Sequence, residues 1–208
     1  MRDLKTFGLA LVVVLAMSGL AASAASADFT MGASSGTVTA TQLAGGVITT
    51  TAGNFECANI SGTAPYTSAT TSSLNFGSLS FSNCECIGRA CDIIVNGGCT
   101  LELTTTGESH LCPTGGSITL TLTSSPGVSL CTIHFTQHTV NGISFINTAG
   151  TPNDLDVTIH ATNIAYEVTG GAGKCGTVNT PFTCGVYDGT LTLKAFDTSG
   201  NQVNLTKD

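Results

Sequence analysis

From Asp28 onward the chain alternates apolar and polar residues, and that period of two most limits what it can fold into. L-E-L at 101–103, I-T-L-T-L-T at 118–123, I-H-F at 133–135, V-T-I-H-A at 157–161 and L-T-L-K-A at 191–195 all follow it. Each reads as a strand with one row of side chains on a core and the other in water. No stretch after residue 28 carries a 3.6-residue apolar period. Turn-forming residues recur about every 8–12 positions, the spacing of sandwiches and barrels. The expected fold is all-β: an antiparallel β-sandwich, Ig-like or jelly-roll-like, in one domain over residues 28–208.

Parity predicts particular hairpins. A three-residue loop at Asn96-Gly97-Gly98 sets Val95 against Cys99, Ile93 against Leu101 and Cys91 against Leu103, all on one apolar face. Around Pro126-Gly127 the expected pairs are Leu122–Cys131, Leu120–Ile133 and Ile118–Phe135. A turn over Asp197 to Asn201 pairs Ala195 with Val203 and Leu193 with Leu205. Apolar positions change phase at Gly77-Ser78 and near Thr162-Asn163, as β-bulges require. The Gly-rich stretch 170–183 is expected to be a long loop, mobile unless cysteines tie it.

The N-terminus has the form of an export signal. Arg2 and Lys5 precede an apolar run from Phe7 to Leu20, followed by small residues with cleavage sites after Ala24 or Ala27. The run falls short of the roughly 20 residues that a membrane-spanning helix needs. Residues 1–27 are therefore expected to be a secretory signal peptide. The mature chain then has no transmembrane helix and is secreted, extracellular or associated with the cell wall.

Charged residues make up 9 % of the chain, against about 25 % in an average domain. Thr and Gly take their place, and the branched Cβ of Thr suits a pleated strand. Without Arg2, Lys5 and Asp3, the remaining four basic and twelve acidic residues leave a net charge of −8. Nucleic-acid binding draws on basic surface to release counterions, so a nucleic-acid partner is not expected.

All nine cysteines follow the signal. Export puts them where disulfides are the default, and the odd number leaves one over. Four stand within N-C-E-C-I-G-R-A-C-D-I-I-V-N-G-G-C, residues 83–99. On a strand Cys84 and Cys86 share a face, so a bond between them would be badly strained. Spacing and compartment favour stapling over zinc. The expected bridges are Cys57–Cys84, Cys86–Cys91, Cys175–Cys184 and Cys99–Cys131, with Cys112 as the free thiol.

Several strings are similar to a group of actinobacterial secreted proteins without an assigned activity. They are F-E-C, L-S-F-S-N-C, N-G-G-C-T-L, L-C-P-T-G-G-S-I-T, C-T-I-H-F-T-Q and Y-D-G-T-L-T-L-K-A-F-D, spread over most of the mature chain. The resemblance implies export and a disulfide-bearing β-sandwich, and implies nothing about chemistry.

Candidate sites are sparse. His134 and His138 have an H-x3-H spacing, but four strand steps separate them by about 13 Å, too far to share a metal. His134 and His160 both point outward and are candidate cross-strand neighbours. Asp154 and Asp156 are candidate calcium ligands because calcium takes oxygen donors. Asp197 to Asn201 reads as a turn. His110 and Cys112 stand two residues apart, which does not establish a nucleophilic dyad. No G-x-S-x-G, H-E-x-x-H or phosphate-cradling Gly loop occurs. With no Trp and three Tyr, aromatic platforms for sugars are scarce.

The functional expectation is an exported, non-catalytic structural or binding protein without a cofactor, engaging an unidentified extracellular ligand or surface partner. The alternatives are a calcium- or carbohydrate-binding module, a pilus-like subunit and, last, a secreted hydrolase.

Overall fold

The computed structural model of the chain describes residues 27–77, 79–124, 128–170 and 181–208. Nearly all of the expected signal peptide and residues 171–180 of the Gly-rich stretch lie outside these residues. All regular structure among those described is β-strand, as the alternation predicts.

The strands come in alternating long and short pairs. After β1 (Phe29–Met31) come two long strands, β2 (Gly36–Thr50) and β3 (Gly53–Tyr66). Two short ones, β4 (Thr70–Thr71) and β5 (Ser73–Phe76), lead to β6 (Ser80–Cys86) and β7 (Arg89–Asn96). β8 (Leu101–Thr104) and β9 (Glu108–Leu111) lead to β10 (Ser117–Ser124) and β11 (Val128–Phe135). β12 (His138–Asn141) and β13 (Ile143–Asn147) lead to β14 (Leu155–Thr169) and β15 (Pro181–Asp197). β16 (Gln202–Val203) and β17 (Leu205–Lys207) follow.

The paired members close a ring. β2, β3, β6, β7, β10, β11, β14 and β15 each hydrogen-bond to the next, and β15 returns to β2, all antiparallel. The result is an eight-stranded up-and-down barrel whose order around the ring is its order in the chain. This differs from the expected sandwich. Alternation gives each strand one apolar face in either architecture, whereas closure depends on which edges meet.

Antiparallel neighbours put successive connections at opposite ends. The tight turns at Thr51-Ala52 and Ile87-Gly88 fall at one end, where the Ile87 N–H donates to the Asn54 carbonyl at 2.9 Å. The short-strand excursions leave from the other. There β5, β8, β9 and β12 form a four-stranded sheet, and β1, β4 and β17 form a three-stranded one. β13 pairs with the first half of β14, and β16 with the end of β15.

Inward rows line the lumen: Ile118, Leu120 and Leu122 on β10, Cys131, Ile133 and Phe135 on β11, and Leu155, Val157, Ile159 and Ala161 on β14 are all buried. Most outward positions are polar, among them Thr41, Glu56, Ser61, Thr63, Thr158, His160 and Glu167, with Leu43 and Ile94 as exposed apolar exceptions. That is the reverse of a lipid-spanning barrel, whose outer band is apolar. No helix among the described residues is long and apolar enough to cross a membrane.

The β10–β11 register has Ile118 opposite Phe135, Leu120 opposite Ile133 and Leu122 opposite Cys131, as parity predicts. The expected Asn96–Gly98 hairpin does not form. The Cys99 N–H does bond back to the Asn96 carbonyl at 3.2 Å. The chain then leaves the ring, and β8 pairs with β5 and β9 while β7 pairs with β6 and β10. Ala195 faces Val203, but Leu205 lies against Met31 of β1 and not against Leu193. The slip near Asn163 is a bulge, with Asn163 at φ 59°. The slip at Gly77-Ser78 separates two strands of different sheets, β5 and β6.

Three disulfides are present among the described residues: Cys57–Cys84, Cys86–Cys91 and Cys99–Cys112. The first joins residues directly opposite on β3 and β6, with Cα atoms 4.0 Å apart. Cys112 is thus not the free thiol, and Cys99 is not bonded to Cys131. The expectation for Cys99 rested on the hairpin that does not form. Cys131 is disulfide-bonded as well. Cys184 carries an exposed free thiol, so the expected Cys175–Cys184 bridge is absent; Cys175 lies outside the described residues.

Candidate binding site in the barrel lumen

The lumen is not completely filled. It holds a cavity of about 120 Å³, bounded by inward side chains of the ring and by side chains of the four-stranded sheet. Ile60, Ile93, Ile118, Leu120, Phe135, Ile159 and Leu191 supply aliphatic and aromatic walls from six strands. Ala161 is the small residue among them, and its short side chain leaves room that a leucine would take. Leu101, Ser109, Leu111 and Val140 line it from the four-stranded sheet.

Two side chains in the lining carry polar atoms, Ser109 and Tyr187. Tyr187 belongs to the wall. Its hydroxyl lies over Gly189, where an added β-carbon would stand 2.5 Å from it, so the phenol needs glycine there. Burial, with Asp188 beside it, pushes its pKa up to about 12.

Ser109 is different. It is 1 % exposed, and its Oγ has no hydrogen-bond partner among the described residues. It stands in a row across the sheet in which Leu74 faces Leu103, Leu103 faces Ser109, and Ser109 faces Val140. Those three neighbours are buried and apolar. Parity with the inward Leu111 places Ser109 inside. The run T-T-T-G-E-S-H reads as a polar turn, so sequence reasoning passes over it.

The ring is thin at one place. β6 and β7 pair only through Cys84 with Cys91, Glu85 with Ala90 and Cys86 with Arg89. Beyond Asn83, which holds φ 52°, the strands part and leave a gap of about 490 Å³ between Phe81–Cys84 and Cys91–Ile94. Phe81 and Ile93 line both this gap and the lumen cavity. The bridges Cys57–Cys84 and Cys86–Cys91 fasten its narrow end.

The other candidates separate. Cys112 is in a disulfide, so the pair with His110 offers no thiol nucleophile, and His110 Nδ1 meets the Thr139 hydroxyl at 3.2 Å. His134 faces Glu167 and contacts the Thr119 hydroxyl at 3.2 Å. His160 faces and contacts Asp188, so the two histidines are not neighbours. Asp154 accepts from Gln202 at 2.7 Å and meets Lys194 Nζ at 3.3 Å. Asp156 accepts from Thr192 at 2.7 Å. No group of three metal-ligating side chains occurs among the described residues. Asp197 accepts the N–H groups of Ser199 and Asn201 at 2.9 and 2.8 Å, the turn role expected of it. The Asn201 backbone and side-chain hydrogen bonds hold its pKa below the usual carboxylate range.

Comparison of the chain with protein-family models, with curated proteins and with solved structures gives no match.

Proposed function

We propose that this is an exported, non-catalytic binding protein that carries a small apolar molecule inside its barrel. The lumen cavity of about 120 Å³ carries the reading. Eight-stranded barrels either fill with side chains or hold one small ligand. An apolar cavity of about 150 Å³ stays dry and takes benzene or xenon, whereas pockets for drug-sized ligands reach about 300–1,000 Å³. The occupant is therefore about the size of a single ring. Three disulfides and the leader-like N-terminus support an oxidising, extracellular setting.

Titration with benzene and cyclopentane, followed by NMR of the lumen methyl groups and by thermal unfolding, tests the proposal. Saturable shifts at Ile118, Leu120 and Ile159 are expected, together with a rise in Tm. The variant Ala161→Ile, which adds volume to the wall, should abolish both. No shift at saturating probe would overturn the reading.

A further inference from the structure

We infer that the molecule held in the lumen is an uncharged amphiphile: an apolar body with one hydroxyl or carbonyl set against Ser109 Oγ. The inference rests on the carrier reading above and adds the chemical class of the ligand.

Ser109 occupies the one position of its row where an apolar residue is missing, between Leu103 and Val140. Ser109 lines the cavity, and its hydroxyl is out of water and has no partner among the described residues. A buried hydroxyl without a hydrogen bond destabilises the fold, and an alanine at the same place would not. The arrangement makes physical sense when the partner arrives with the ligand.

Water fits the site poorly. A buried water needs about two to four polar partners, and the lining offers the Ser109 hydroxyl and a Tyr187 phenol turned over Gly189. An ionised ligand fits worse, because no side chain of the lining carries an opposite charge to pair with it. An aliphatic or ring alcohol, or a ketone, of about five to seven non-hydrogen atoms matches both the volume and the single polar group.

The experiment compares cyclopentane with cyclopentanol on the wild-type protein and on Ser109→Ala, by calorimetry and by NMR. Affinities are compared between proteins for each probe, so the different hydration of the two probes cancels. Ser109→Ala removes an unpaired hydroxyl and should fold, with thermal unfolding as the check. The expected result is about a fivefold or larger loss of cyclopentanol affinity, the effect of one neutral hydrogen bond. Cyclopentane should bind the variant as well as it binds the wild type. Cross-relaxation between the cyclopentanol carbinol proton and the Ser109 β-protons is expected in the wild-type complex. Cyclopentanol binding that is unchanged by Ser109→Ala overturns the head-group inference and leaves the carrier reading standing. If neither probe binds the wild-type protein, both fall.

Discussion

Ile87 rests on Gly53: a β-carbon added at Gly53 would stand 2.9 Å from Ile87 Cγ1. The contact joins the β6–β7 turn to the β2–β3 turn at the end of the barrel opposite the four-stranded sheet. Ile87 pays for it in backbone strain, since it holds φ 55° beside Gly88 at φ 71°. A two-residue hairpin turn with positive φ at both positions favours Asn-Gly. A left-handed conformation costs an L-residue about 1–2 kcal/mol, and most of all a β-branched one. Ile87 is 41 % exposed, so its packing returns only part of that. Ile87→Asn is therefore expected to raise stability by about 0.5–1 kcal/mol in urea unfolding. A lower urea midpoint would mean that the contact with Gly53 outweighs the strain.

The disulfide network gives a second expectation. Cys57–Cys84 closes a separation of 27 residues, which the chain-entropy relation makes worth about 3–4 kcal/mol. Cys86–Cys91 spans only five, worth about 2 kcal/mol by the same relation. Paired serine substitution should follow that order in denaturant unfolding. A thiol reagent applied to the folded protein should modify Cys184 and leave Cys112 untouched. A peptide map showing modified Cys112 would contradict the Cys99–Cys112 bridge.

How far the chain could be read without its structure depends on whether a contact is local. The β10–β11 pairs, the short Cys86–Cys91 bridge and the Asn163 bulge are local and match parity, spacing and turn residues. Cys57–Cys84, 27 residues apart, matches an expected pairing that neither parity nor spacing dictates. Parity also places Cys91, Ile93 and Val95 on one face. It does not say that β8 leaves the ring at Cys99 to join a different sheet. The expected Cys99–Cys131 bridge inherited that error. Ring closure through β2 and β15 and the orphan hydroxyl of Ser109 depend on residues far apart in the chain.

Alkaline solution should weaken the fold through Tyr187. Its folded pKa of about 12 lies above the usual value of 10, so the unfolded chain loses this proton first. The stabilisation is complete below pH 10 and is lost as pH rises through about 12, a change of about 3 kcal/mol at most. The pKa values of Tyr66 and Tyr166 are raised as well and act in the same direction. Tyr187→Phe should flatten the decline in Tm between pH 9 and 12 without removing it. A variant with the wild-type slope would show that the phenol is not held neutral.

Phe81, like Ile93, lines both the lumen cavity and the gap between β6 and β7. With the proposed ligand bound, Phe81→Ala is expected to raise kon and koff together, because the shortened side chain opens a path through the ring and a lower barrier speeds passage in both directions. Line-shape analysis of probe exchange measures both rates. Exchange as slow as in the wild type would place the path elsewhere, for example at the turn end.

β2 is the first strand of the ring and β15 the last, and they pair along Gly36–Thr49 and Val186–Asp197. A ribosome delivers them about 150 residues apart. Until the second arrives, the first has one unsatisfied edge and the lumen has no closing wall. The barrel therefore cannot form piecemeal during synthesis. Its closure is a long-range step of the slow kind that high contact order imposes.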